Sequence, residues 1–270
     1  MPARKKSFSP EHLNASADDI AGNDGIGRYI FLPGSDGRAQ MIADYFENVS
    51  VITHPRAHNL YLGTIDCDGT AVDVAAVSTG MGCASVEIIL HELFQLGGKR
   101  FLRVGTAGSL QPELVQIGDL VNAQAAVRDE STTLNYVPLS FPAMASLEFT
   151  SSIMLAAAGM DLQLHTGIVQ CKSSLYSKSA VAHLEQLLAA GVLAADMETS
   201  AIYILSQIYN HELQLQGNSP AHRVLSGAVL NIVANGEGFD KSAKVKKSLQ
   251  SSIELSLEAV RVLALQELIN

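Results

Sequence analysis

The chain has 270 residues, and 18 Lys and Arg against 27 Asp and Glu leave a formal charge of −9. With 47% hydrophobic and 17% charged residues it is too apolar to be disordered, and its acidity leaves no general electrostatic footprint for nucleic acid. No apolar run approaches the roughly 18 residues of a membrane span, and the basic start, residues 1–9, lacks the apolar segment of a secretion signal.

Residues 1–27 read as a polar N-terminal arm, in which 16–20 is able to open one helical turn, and residues 28–270 as one domain. The run Tyr29-Ile30-Phe31-Leu32, stopped by Pro33-Gly34, reads as a buried strand entering a glycine turn. Residues 36–46 then carry Ala39, Ile42, Ala43 and Phe46 at helical spacing. Residues 72–77 and 101–104 read as strands, each ending in a glycine-containing loop. Between them, 85–96 sets Val86, Ile89, Leu90, Leu93 and Phe94 on one helical face. Further strands are expected at 120–126 and 165–169, and helices at 197–209 and 243–268. Repetition of strand, loop, helix and strand predicts a single α/β domain, a mixed and mostly parallel β-sheet flanked by α-helices. Cys67, Cys83 and Cys171 are scattered without CxxC spacing, which reads as free thiols in a reducing compartment, with the cytoplasm as the default and no zinc site.

Several segments carry candidate chemistry. In Leu32-Pro33-Gly34-Ser35-Asp36-Gly37-Arg38, a glycine at a strand-to-helix junction lets backbone N–H groups approach an anion, and Arg38 lies one turn inside. Alone, this motif reads as an ordinary tight turn with a solvated arginine, because glycine turns before helices are common. In Phe101-Leu102-Arg103-Val104-Gly105-Thr106-Ala107-Gly108, an arginine interrupts an apolar strand, so it either faces a ligand or pairs with a buried carboxylate. Ser78-Thr79-Gly80-Met81-Gly82 is a third glycine loop, and strands of one sheet present such loops along one edge. Asp196-Met197-Glu198 opens an apolar helix, where acidic residues are either dipole complements or, for Glu198, an acceptor for two ribose hydroxyls.

In this order and spacing these motifs resemble the hexameric-type nucleoside phosphorylases over nearly the whole chain. Leu139-Ser140-Phe141-Pro142-Ala143 followed by Leu147-Glu148-Phe149-Thr150 is most similar to the uridine phosphorylase branch. The resemblance implies a nucleoside phosphorylase-like fold and reversible phosphorolysis of a nucleoside to free base and (deoxy)ribose 1-phosphate, with a uridine-type pyrimidine nucleoside favoured. Purine nucleoside phosphorolysis, a hydrolase of the same fold and a nucleoside-binding homologue with weak or no turnover are the alternatives. It further implies that Gly34, Arg38, Arg103 and Thr106 bind phosphate together with Arg56, an arginine lent across a dimer interface. His12, lent by the same neighbour, would stand near the ribose 5′-hydroxyl, and Met197 and Glu198 would hold the ribose. Arg38, Arg103, Thr106 and Glu198 would carry catalysis. Inorganic phosphate is the co-substrate, and no cofactor or metal is implied. The partners implied are nucleoside, phosphate and further copies of the chain sharing active sites in dimers assembled as a hexamer, with no nucleic acid or membrane.

The base pocket departs from the family pattern. Leu175 and Tyr176 match its Phe-Tyr segment, but Ser179 and Val181 stand where a Gln and an Arg read uracil, with Lys178 and Gln186 nearby. Asn231 and Ile232 fall where the uridine branch places an arginine after an Asn and the purine branch an Asp. An amide hydrogen-bonds a base edge but delivers no proton. Ala57 replaces an acidic residue that helps hold a monovalent cation in some relatives, so no such ion site is expected.

Overall fold

The computed structural model describes residues 8–177, 184–217, 222–236 and 238–268. The run expected as a strand forms β1 (Tyr29–Leu32), buried throughout. Because side chains alternate across a strand, Ile30 and Leu32 enter one apolar cluster while Tyr29 and Phe31 enter a second on the opposite face. Pro33-Gly34 ends β1 and leads into α2 (Asp36–Ala43), preceded by the one-turn α1 (Ala17–Ile20).

Three antiparallel strands follow: β2 (Glu47–Ile52), β3 (Leu60–Cys67) and β4 (Thr70–Val77). Helix α3 (Cys83–Gln95) then leads to β5 (Arg100–Ser109), and β1 lies parallel to both β4 and β5. The chain continues through β6 (Leu120–Asp129), β7 (Ala143–Met144), α4 (Leu147–Gly159), β8 (Leu164–Lys172), α5 (Leu184–Ala189) and β9 (Ala194–Asp196). It ends with α6 (Thr199–Leu215), β10 (Leu225–Asn235), β11 (Gly238–Phe239) and α7 (Ala243–Leu268).

The strands form one mixed sheet in the order β11-β10-β6-β8-β9-β5-β1-β4-β3-β2, with β7 on the flank of β6. β10 also pairs in parallel with β5, so β5, β10, β6, β8 and β9 close into a ring of strands. Closure removes the edges of those strands and explains why β10 is buried from Leu225 to Ile232. Helices α3 and α6 pack on one side of the sheet through Val86, Ile89, Leu93, Ile202 and Leu205. Helices α2, α4 and α7 cover the other through Ile42, Phe149, Ile153, Val260 and Leu263.

Two local expectations change. The helix expected from 197 begins at Thr199, because Asp196 ends β9 and Met197-Glu198 makes the turn between strand and helix. Within the stretch read as an arm, the described residues 8–27 pack against the body, with Leu13 and Ile20 buried. All three cysteines are free and buried, and no described helix is long and apolar enough to cross a membrane.

Candidate functional site

The parallel alignment of β1, β4 and β5 places the loops after them along one edge of the sheet. Those after β1 and β4 are tied together, since the Thr79 N–H donates to the Pro33 carbonyl at 2.9 Å. With the turn after β9 and the end of β10 they enclose a cavity of about 510 Å³. Gly34, Arg38, Arg103, Thr106, Met197 and Glu198 all line it, so the structure brings together most of the residues the sequence singled out.

Arg103 is built into the cavity floor. Its Nε donates to Asp196 Oδ2 at 2.9 Å and its Nη2 to Glu198 Oε2 at 2.5 Å. Asp196 is held in turn by the Thr199 N–H at 3.1 Å and the Thr199 hydroxyl at 2.5 Å. The other Glu198 oxygen accepts the Gly82 N–H at 2.6 Å. Gly105 is a glycine for this reason: a Cβ there would stand 2.6 Å from Arg103 Cζ, inside the folded-back guanidinium. Gly80, at φ +71, has a left-handed backbone, and a Cβ on it would lie 2.4 Å from Ser85 Oγ.

Arg38 reaches the same floor from the first turn of α2. The Ser35 side chain accepts its backbone N–H at 3.4 Å, and its Nη1 donates to the Val104 carbonyl at 3.3 Å, beside Arg103. Burial, followed by the charge of Arg103, pushes the Arg38 guanidinium down to about 10. Burial also opposes the charge of Arg103, but Glu198 and Asp196 outweigh it and hold that guanidinium above its ordinary value. Burial pushes the Asp196 carboxyl up, against the pull of Arg103. Arg38 Nε and Arg103 Nη1 are buried with no hydrogen-bond partner among the described residues. Two neighbouring cations with donors to spare have the chemistry to receive an oxyanion.

Other expected site residues lie elsewhere. Arg56 is exposed on the loop between β2 and β3, away from this chain's cavity. His12 is fixed by Glu92, whose carboxylate sits 2.9 Å from His12 Nδ1 and accepts the Glu11 and His12 backbone N–H groups. The His12 segment and the Arg56 loop share one surface, joined by Asn14 Nδ2 donating to the Thr53 carbonyl at 2.6 Å. Leu175 lines the cavity, whereas Tyr176 does not and is 87% exposed. Gln186 is exposed on α5, and Lys178, Ser179 and Val181 lie outside the described residues.

Asn231 and Ile232 are corrections. Neither lines the cavity. Asn231 turns toward α7, accepting the Ser248 hydroxyl at 2.8 Å, and Ile232 is buried in the core. The register of β10 on β5 breaks between Ile232 and Ala234, and this irregularity brings Val233, Ala234 and Asn235 to the cavity instead. Met81 of the third glycine loop also lines it, as do Lys172 and Phe239, which the sequence did not single out. Lys172 ends a strand, where an isolated lysine reads as a solvated edge. Among the described residues no group of three or more His, Cys, Asp or Glu is arranged to hold a metal ion.

Comparison with known proteins places the chain in a family. The model of the Phosphorylase superfamily matches residues 28–214. A uridine phosphorylase of Treponema pallidum (strain Nichols) is 31% identical over 270 residues, covering 95% of this chain and 95% of the relative. A guanosine phosphorylase of Halorubrum lacusprofundi is 28% identical over 241 residues, covering 86% of this chain and 92% of the relative. In fold, the chain superposes on the crystal structure of a purine nucleoside phosphorylase from Toxoplasma gondii in complex with immucillin-H. The TM-score is 0.78 at 20% identity, over 96% of this chain and 99% of that one.

Proposed function

The chain belongs to the Phosphorylase superfamily, and from that membership we propose that it catalyses reversible phosphorolysis of a nucleoside, with a uridine-type pyrimidine nucleoside as the favoured substrate. The observation that carries this reading is the pair of buried, partnerless donors, Arg38 Nε and Arg103 Nη1, on one cavity floor beside Glu198. Phosphate sits on Arg38, Arg103, Thr106 and the Gly34 backbone, and the sugar lies over Met197 and Glu198.

A phosphate oxygen attacks C1′ as the bond from C1′ to the base nitrogen breaks, and the bonding pair leaves with the base. The proton given up by hydrogen phosphate ends on that nitrogen through solvent. Little covalent chemistry falls to the protein, which orients the oxyanion under C1′ and balances its charge. Glu198 faces the positive charge that develops on the sugar. A hydrolase using neutral water has no use for two adjacent guanidiniums at that point.

Arg56 and His12, exposed or at the surface of a single chain, complete the site from a symmetric partner, so a dimer is the smallest active unit and a hexamer of three dimers the expected assembly. The free thiols suit a cytoplasmic enzyme of base salvage. The guanosine phosphorylase relative keeps purine nucleosides as the second reading. Incubation with phosphate and uridine, thymidine, inosine or adenosine, followed by quantifying base and pentose 1-phosphate, tests both. Equal amounts of the two products from uridine support the first reading and from inosine alone the second. Release of base without a sugar phosphate contradicts both.

A further inference from the structure

We infer that Lys172 is the specificity-determining residue for the base, donating to the carbonyl oxygen that uracil, hypoxanthine and guanine carry on the edge remote from the sugar. The inference rests on the phosphorolysis reading and deepens it from nucleosides in general to nucleosides of oxo-bases.

Lys172 is the last residue of β8. Its predecessor Cys171 pairs with Asp196 in the parallel register of β8 and β9, so Lys172 emerges level with Met197, the turn residue beside Glu198. The charged side chains lining the cavity among the described residues are Arg38, Arg103, Lys172, Asp196 and Glu198. Arg103 is paired with both carboxylates, and Arg38 adjoins it on the floor. Lys172 alone makes no ion pair and no side-chain hydrogen bond among the described residues. Its neighbour in register, Asp129, accepts instead from Gln170 Nε2 at 2.7 Å.

Position decides which part of a substrate Lys172 meets. Among the described residues it is the one that lines both the main cavity and an adjoining cleft of about 390 Å³, a cleft that neither Arg38 nor Arg103 lines, so it stands where the two meet. A nucleoside with C1′ over the bound oxyanion extends its base toward that boundary. The apolar part of the cavity lining, Ala107, Leu175, Val233, Ala234 and Phe239, offers surfaces for a flat ring. An ammonium donates and never accepts. It pairs with a carbonyl at pyrimidine position 4 or purine position 6, and it rejects cytosine and adenine, which carry an amino donor there. As the glycosidic pair moves onto the ring, negative charge spreads to that oxygen, and the contact strengthens in the transition state. Lys172 thereby fills the role left open by Ser179 and Val181.

The test compares wild type with Lys172→Met and Lys172→Arg on uridine, inosine, cytidine and adenosine at saturating phosphate. Wild type is expected to favour the oxo-bases. Lys172→Met should lose about tenfold to a hundredfold in kcat/KM on uridine and inosine while the KM for phosphate and the thermal midpoint stay unchanged. Lys172→Arg should recover part of the loss. Unchanged oxo-base kcat/KM in Lys172→Met, or a uniform loss on all four nucleosides, overturns the inference while leaving phosphorolysis standing. Absence of turnover by wild type on every nucleoside overturns the phosphorolysis reading. Calorimetric titration with uracil, hypoxanthine, cytosine and adenine then decides for Lys172: oxo-base binding lost in Lys172→Met supports it, and equal binding by both proteins overturns it.

Discussion

Arg103 Nη2 lies 2.5 Å from Glu198 Oε2, so the cation assigned to phosphate and the carboxylate assigned to the sugar are one buried ion pair. Neither half of the substrate site is independent of the other. Glu198 fixes which guanidinium nitrogen of Arg103 remains free, and Arg103 fixes which face of the Glu198 carboxylate remains open.

That coupling makes Glu198→Gln a phosphate mutant as well as a sugar mutant. We expect kcat/KM for nucleoside to fall at least about a hundredfold, the scale of losing charge-assisted hydrogen bonds, with a clear rise in the KM for phosphate. Combined with Arg103→Ala, the loss should be far smaller than the sum of the single effects, because both changes break the same pair. Steady-state kinetics with both substrates varied checks this, and additive losses would contradict it.

Burial, followed by the charge of Arg103, disfavours the charged form of Arg38 on the cavity floor, and a bound anion would offset both. Phosphate or sulfate should therefore raise the thermal midpoint, with about 2.7 kcal/mol of stabilisation at a hundred times the Kd. Arg38→Ala should lose most of this response. A differential scanning series in phosphate, with chloride at equal ionic strength as control, separates specific binding from screening.

His12 hangs on Glu92. Burial raises the Glu92 carboxyl, but hydrogen bonds from the His12 side chain and from the backbone of Glu11 and His12 outweigh it and hold it below the ordinary value. A carboxylate depressed in the folded state contributes stability above its unfolded value, about 4.3, and that contribution is lost as pH falls through the folded value. As pH falls below the ordinary carboxylate range the His12 segment should loosen before the core, visible as faster amide exchange near residues 11–14. Glu92→Gln should show the same loosening at neutral pH and a raised KM for nucleoside.

A site shared between protomers predicts complementation. Arg38→Ala and Arg56→Ala should each be nearly inactive alone. After mixing and subunit exchange, some dimers pair an intact Arg38 from one chain with an intact Arg56 from the other, and activity should return to a fraction of wild type. Size-exclusion chromatography verifies that exchange has occurred, and its occurrence without recovered activity would contradict the shared site.

Much of this site was legible in the sequence. Arg103 inside an apolar strand and glycines at strand ends are costly unless something uses them, and the structure puts those residues around one cavity. Strand β2 was not read from the sequence: its Val49 and Val51 alternate over only a few residues among polar neighbours, and both stay exposed, so no core-facing run marks it. Closure of β10 onto β5 was not legible either, since pairing between distant strands leaves no local pattern. Asn231 and Ile232 were misplaced because counting along the chain does not register the irregularity between Ile232 and Ala234. Lys172 escaped notice because its meaning comes from Met197 and Asp196 beside it, which are neighbours only after β8 and β9 align.

The most direct measurement is the initial rate of base release from uridine as phosphate is raised from zero at constant ionic strength. We predict no release without phosphate, a saturable rise with it, and loss of saturation in Arg38→Ala. Release at an undiminished rate in phosphate-free buffer would contradict the claim that two buried guanidiniums hold the attacking oxyanion.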